Sequence, residues 1–183
     1  MRKGDAALGS LVFLVLAPGS TGVLIPWLLT RWEVRVPPPS SAIRVLGLGL
    51  IVAGAAVLLG AFARFVLEGR GTPAPVAPTD RLVVRGLYRH VRNPMYLAVT
   101  ATIVGQALFL GRWGLLVYAL LFLGTTVAFV RWYEEPTLRD RFGAEYETYR
   151  RGVPGWWPRL TPWRPADVDA HLPQAQPIEK STS

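Results

Sequence analysis

Two short runs hold most of the side chains able to do chemistry. Residues 86–99, GLYRHVRNPMYLAV, set Arg89, His90, Arg92 and Asn93 directly before Pro94, where an apolar stretch opens. Residues 131–135, RWYEE, set Arg131, Glu134 and Glu135 directly after another apolar stretch. A helix starting at Pro94 presents N–H groups that attract an anion, neighbouring arginines add to that field, and a carboxylate pair attracts a cation. Brought together, the two runs suit a zwitterionic or mixed-charge ligand. Each residue also has an ordinary structural role. Asn93 is a good helix N-cap and Pro94 a good first helical residue. Arg89 and Arg92 can be flanking charge, Tyr96 an interfacial aromatic, and Arg131 with Glu135 an i,i+4 pair. The chain has no cysteine and two histidines. Thiol nucleophiles, disulfides and thiolate metal sites are therefore excluded, and no metal is expected.

The elements that must position these runs are apolar helices. Hydrophobic residues make up 51% of the chain and charged residues 17%. Four stretches carry no charged side chain: Ala6 to Leu29, Val45 to Ala63, Pro94 to Gly111 and Trp113 to Val130. As helices they are about 27 to 36 Å long, against a hydrocarbon core of roughly 30 Å. The fold class expected is an all-α integral membrane protein with four transmembrane helices. The first stretch is too long for a signal peptide and reads as a retained anchor. Residues 1–165 form one transmembrane domain, and the polar residues 166–183 a disordered tail.

Sixteen of the twenty basic residues fall on one side of a four-span arrangement, in the N-terminus, the 64–93 connection and the C-terminal region. The positive-inside rule places both termini in the cytoplasm. The formal charge of +8 is then a topology and lipid-surface signal, and no nucleic-acid partner is expected. Eighteen arginines against two lysines, with abundant alanine and glycine, suggest a bacterial inner membrane. The second span is rich in glycine (Gly47, Gly49, Gly54, Gly60), which lets helices approach closely. Only Gly111 and Arg112 separate the third and fourth spans, so these form a tight antiparallel hairpin. That hairpin returns the chain to the membrane face where it entered. Tyr88, Arg92, Asn93 and Tyr96 are therefore expected beside Arg131, Glu134 and Glu135.

The run LVVRGLYRHVRNPMY (82–96), followed across the hairpin by EEPTLRDRFGAEYETYRRGVPGWWP (134–158), resembles the isoprenylcysteine carboxyl methyltransferase and phospholipid N-methyltransferase superfamily of integral membrane methyltransferases. Its motifs are Leu-Val-x-x-Gly-x-Tyr, Arg-His/Asn-Pro-x-Tyr, Glu-Glu-x-x-Leu and Phe-Gly-x-x-Tyr-x-x-Tyr, then a tail containing Val-Pro. The likeness covers residues 80–160. It implies S-adenosylmethionine as cofactor, with Leu82, Val83, Tyr88, Asn93, Pro94, Met95 and Tyr96 lining its pocket. Glu134 or Glu135 would hold its ribose or amino group, Arg131 would face the acceptor, and Arg92 would help to position it. The cofactor's carboxylate suits the arginine-rich helix start, and its ammonium and sulfonium suit the glutamates.

Methyl transfer from a sulfonium is an in-line displacement, so alignment and exclusion of water are the protein's main tasks. A carboxylate or thiolate acceptor needs no base; an amine would need Glu134, Glu135 or His90. Asn93 stands where the prenylcysteine enzymes carry histidine, which points to a small lipophilic acceptor: an isoprenoid acid, a lipid amine or a thiol. The bilayer is the other expected partner. The segment VPGWWPRLTPWRP (153–165) reads as an interfacial aromatic belt or as a lid over the cofactor. Two other functions keep to the same motifs: an NADPH-dependent reductase of the sterol-reductase type, and a non-catalytic membrane accessory protein.

Overall fold

The computed structural model describes residues 12, 14–68, 82 and 84–164, with the backbone alone for 63–68. Among these residues every regular element is helical. In chain order they are α1 (Val15–Thr30), α2 (Ser41–Glu68), α3 (Pro94–Leu110), α4 (Gly114–Phe129) and α5 (Glu135–Gly152). A short 3-10 turn, Gly86–Arg89, leads toward α3, and a widened turn, Val130–Glu134, carries α4 into α5 without a break. Each charge-free stretch becomes a helix. Two helices are long and apolar enough to cross a bilayer, Ser41–Phe62 within α2 and the continuous Gly114–Gly152; α1 and α3 are apolar but shorter. The start of the first expected span at Ala6, most of the 64–93 connection and the tail 166–183 lie outside the described residues.

Small residues set the packing of α2 on α3. Gly47, Gly54 and Ala61 recur every seventh position, and all three are buried. A Cβ on Gly47 would lie 2.7 Å from the carbonyl oxygen of Gly105, and one on Gly105 would lie 2.6 Å from that of Gly47. Here the two backbones touch. Small residues that let two apolar helices approach this closely hold them together by van der Waals contact. Gly49 and Gly60, by contrast, face open space. Only half of the glycines expected to promote packing do so, because only those on the seven-residue repeat face α3.

The α3–α4 hairpin closes over Val99, Ile103, Ala107, Leu110, Leu115 and Ala119. Gly111 ends α3 at φ 68°, a left-handed conformation that glycine adopts without steric cost. The turn is braced by the loop after α1: Arg35 N–H donates to the Leu110 carbonyl at 2.8 Å, and Arg112 pairs with Glu33 at 3.3 Å.

α1 is tied to the hairpin through polar groups. Around Pro18, which lacks an N–H, residues Val15–Leu24 wind in a wider π-helical register. Carbonyls along this stretch find partners on the hairpin: Gln106 Nε2 donates to Gly22 at 2.7 Å and the Tyr118 hydroxyl to Thr21 at 2.9 Å. In an apolar surround each bond satisfies a group that would otherwise be costly to bury.

A methyl added at Gly54 would sit 2.6 Å from the Ala98 carbonyl oxygen and against the Thr102 hydroxyl. Gly54→Ala is therefore expected to lower stability by about 1–3 kcal/mol through overpacking. Gly49→Ala, with nothing within 4 Å, should cost nothing. Thermal unfolding of both variants in detergent checks this; equal melting would remove the Gly54 contact from the packing account.

Candidate functional site

Proline at the first helical position fixes φ and removes a donor that would have no acceptor, so α3 starts at Pro94. Asn93 adopts φ −116° and its side chain does not cap the helix. Its Nδ2 instead donates to the Gly155 carbonyl at 3.1 Å. The capping role open to Asn93 in the sequence is thus not the one it takes; a segment sixty residues away competes for the amide and holds it.

Arg92 is the hub. Its Nη1 donates to Glu135 Oε1 at 2.6 Å and to the Tyr146 hydroxyl at 3.1 Å, and its Nε to the Val153 carbonyl at 3.0 Å. Its own N–H donates to the Pro154 carbonyl at 2.9 Å. Both charged side chains of the Arg92–Glu135 pair are 15% exposed, so the pair is shielded from most of the solvent screening that weakens surface ion pairs. Glu135 also faces Arg150 Nε at 3.5 Å, an ion pair without an aligned hydrogen bond. The i,i+4 partner that sequence spacing offers Glu135, Arg131, is passed over: Arg131 stands exposed on the widened turn.

The segment after α5 straps onto residues 89–93. Arg159 N–H donates to the His90 carbonyl at 2.9 Å, and His90 Nδ1 meets the Arg159 carbonyl at 2.8 Å. Trp163 N–H donates to Arg89 at 2.9 Å and Arg89 Nε returns a bond to Trp163 at 2.6 Å. Beneath the strap, Tyr146, Tyr149, Val153 and Trp163 form a second core, joined by Leu82. Gly152 permits it, since a Cβ there would collide with the Trp163 indole. Positive charge expected to face a ligand's anion is therefore spent largely on the chain itself: Arg92 on Glu135, and Arg89 on the strap.

Glu134 is placed differently from Glu135. Its Oε2 accepts from the Tyr96 hydroxyl at 3.3 Å, and the bonds described for it include no cation. Desolvation raises its pKa, the Tyr96 bond offsets part of that, and the Glu135 charge adds to the rise. Tyr88 lies close enough to feel it: desolvation and then the Glu134 charge push the Tyr88 phenol up. The hairpin thus brings Tyr88, Arg92, Asn93 and Tyr96 together with Glu134 and Glu135, as the turn at Gly111 and Arg112 requires. Pro94 is buried and Met95 half-buried in the same first turn of α3. Leu82 packs under the strap, and Val83 lies outside the described residues.

With this geometry in place, comparison with known families is informative. The model of the phospholipid methyltransferase family matches residues 42–145, more than half of the chain. The chain belongs to the phospholipid methyltransferase family. Curated proteins give no match. The family match points to a methyltransferase acting in a membrane, in keeping with the two long apolar helices. It begins in α2, takes in both halves of the site, and stops just before Tyr146. In this methyltransferase-family chain the strap and most of its anchors on α5 lie beyond the matched region.

In the sequence Tyr146 and Tyr149 stand only as the tyrosines of the Phe-Gly-x-x-Tyr-x-x-Tyr motif, with no role in the site, and Arg150 carries no assignment there. The signal was present: Tyr146 and Tyr149 are three apart on one helical face, and both are buried. The Tyr149 hydroxyl donates to the Tyr88 carbonyl at 2.7 Å and so fixes the turn before α3.

The two glutamates should separate in stability measurements. Glu135→Gln leaves the Arg92 guanidinium without its counter-charge and should lower stability by about 1.5–3 kcal/mol. Glu134→Gln should not lower it at neutral pH. A carboxyl with a raised folded-state pKa costs stability once pH exceeds its unfolded value, and the cost is complete above the folded value. The difference between Glu134→Gln and wild type should therefore shrink as pH falls through the carboxylate range. Melting curves against pH check both; a Glu134→Gln variant less stable than wild type at neutral pH would contradict the assignment.

Proposed function

We propose that this family member uses S-adenosylmethionine to methylate a small lipophilic acceptor, at the membrane face where α3 begins and α4 ends. In this reading all four apolar helices span the bilayer and both termini face the cytoplasm. The observation that carries the proposal is Glu134, a desolvated carboxylate with Tyr96 as its partner and no matching cation among the described residues, beside a Glu135 that is already neutralised. Among the described residues such a group meets no positive partner. A donor with an ammonium and a sulfonium supplies one, so the residues present fit it.

When bound, the cofactor supplies an electrophilic methyl group on sulfur. The chain's own residues do the rest. Glu134 offsets positive charge and Tyr96 orients its carboxylate. Met95, Pro94 and Asn93 form the adjoining wall at the α3 start, and Tyr88 faces the same region from the preceding turn. Arg92 acts through Glu135, Tyr146 and the strap, and is a positioning residue. Arg131, exposed on the turn, is available to an acceptor's carboxylate or phosphate. For an isoprenoid acid or thiol no proton need be removed; for a lipid amine, Glu134 is the base within reach of the site.

Calorimetry on detergent-purified protein should show S-adenosylmethionine binding, and Glu134→Gln should weaken it tenfold or more, about 1.4 kcal/mol. Binding of NADPH in place of S-adenosylmethionine, or unchanged affinity in the variant, would overturn the proposal. Labelled methyl transfer to fractionated lipid extracts would then identify the acceptor.

A further inference from the structure

The strap is anchored at both ends and carries an apolar tip between them. At its start, the carbonyls of Val153, Pro154 and Gly155 accept bonds from Arg92 and Asn93. Toward its end, Arg159 and Trp163 exchange bonds with His90 and Arg89. Between these anchors Trp157 is 82% exposed and Leu160 is 98% exposed. Trp163, on the same segment, is 6% exposed and packs edge-on to Tyr149. The aromatic belt expected from sequence is therefore split: of its three tryptophans Trp163 lies in the core, Trp156 is half-buried and Trp157 is directed outward.

A segment ordered by this many bonds yet presenting a bare tryptophan and leucine has an apolar surface that the described residues do not cover. Its place indicates what does. The anchors Arg89 to Asn93 lead directly into the apolar α3, so the tip stands at the level where the membrane-spanning region begins. Trp132 and Tyr133, 77% and 53% exposed, stand where α4 leaves at that same end. Arg131 and Arg151 are exposed on the α4–α5 segment that brackets the site. Tryptophan with neighbouring arginines is the composition that settles in the headgroup layer of anionic lipid.

We propose that Trp157 and Leu160 dock into the headgroup layer of the membrane the protein spans, with anionic phospholipid as the partner, and that this contact keeps the strap seated on Arg92 and Asn93. The inference rests on the membrane reading of α2 to α4 and not on the identity of methyl donor or acceptor. It would survive the loss of either.

Because the chain has no cysteine, single spin labels can be placed on the full-length protein. In nanodiscs of phosphatidylcholine and phosphatidylglycerol, a label at L160C should be accessible to oxygen and shielded from a water-soluble nickel chelate. It should resemble a label at L120C on the exposed apolar face of α4, not one at E145C on the exposed face of α5. Chelate accessibility equal to that at E145C would overturn the docking, and shielding from both reagents would indicate cover by protein. For the coupling, W157N, which leaves the Arg159–Leu160 bond itself unchanged, should speed tryptic cleavage after Arg159 in nanodiscs relative to wild type. An unchanged rate would show that the membrane does not hold the strap.

Discussion

A guanidinium cannot shed its proton to escape a poorly solvated position, so wherever the chain places Arg92 it must also supply acceptors. Three segments converge on it for that reason. Glu135 brings the start of α5, Tyr146 the middle of α5, and Val153 with Pro154 the strap. Remove the cation and Glu135 and Tyr146 lose their partner at residue 92, while the strap keeps only the backbone bond to Pro154 and its anchors at Arg89, His90 and Asn93. The hairpin by itself brings 88–96 and 131–135 to one end, but it does not fix the direction in which α5 leaves. Arg92 does, with a bond at either end of α5. The break at Gly143 (φ 51°, ψ −124°) lets that helix bend between them.

This also explains why two adjacent glutamates do different things. Successive helical residues point about 100° apart, so a single turn cannot aim both carboxylates at one cation. Glu135 takes the side facing Arg92 and Arg150; Glu134 takes the side facing α3, where Tyr96 meets it. With Glu135 neutralised, Glu134 is left without a counter-charge among the described residues and in a desolvated place, the condition under which a carboxylate favours a cationic ligand.

The helical plan was legible because membrane spans announce themselves by length and lack of charge, and a two-residue break admits only a hairpin. The convergence of Arg92 and Tyr96 with the Glu134–Glu135 pair followed from that topology. Which glutamate would be neutralised did not follow, since sequence spacing offers Glu135 the nearby Arg131 and gives no sign that Arg92, forty-three residues away, will claim it. The cap reading of Asn93 fails for a related reason. Its type and its place before proline fit a cap, and only the tertiary approach of Gly155 gives its amide a better acceptor. Pro18 hinted at a break in α1, but nothing in the sequence showed that the Thr21 and Gly22 carbonyls would be met by Tyr118 and Gln106, about ninety residues later.

The strap itself has a physical logic in its prolines. Pro154, Pro158 and Pro162 recur every fourth residue. Each lacks an N–H, so the segment is richer in acceptors than in donors, whereas the edge it meets, Arg89 to Asn93, is richer in donors. Carbonyls of Val153, Pro154, Gly155, Arg159 and Trp163 face Arg92, Asn93, His90 and Arg89 accordingly. Proline also narrows the conformations of the free chain, which lowers the entropy lost when the strap is laid down. A ribbon built this way needs no helix or sheet of its own to hold a fixed course. It can lie across the start of α3 while still turning Trp157 and Leu160 away from the protein, because its backbone groups and the buried Trp163 make the attachment and leave those two side chains free of it.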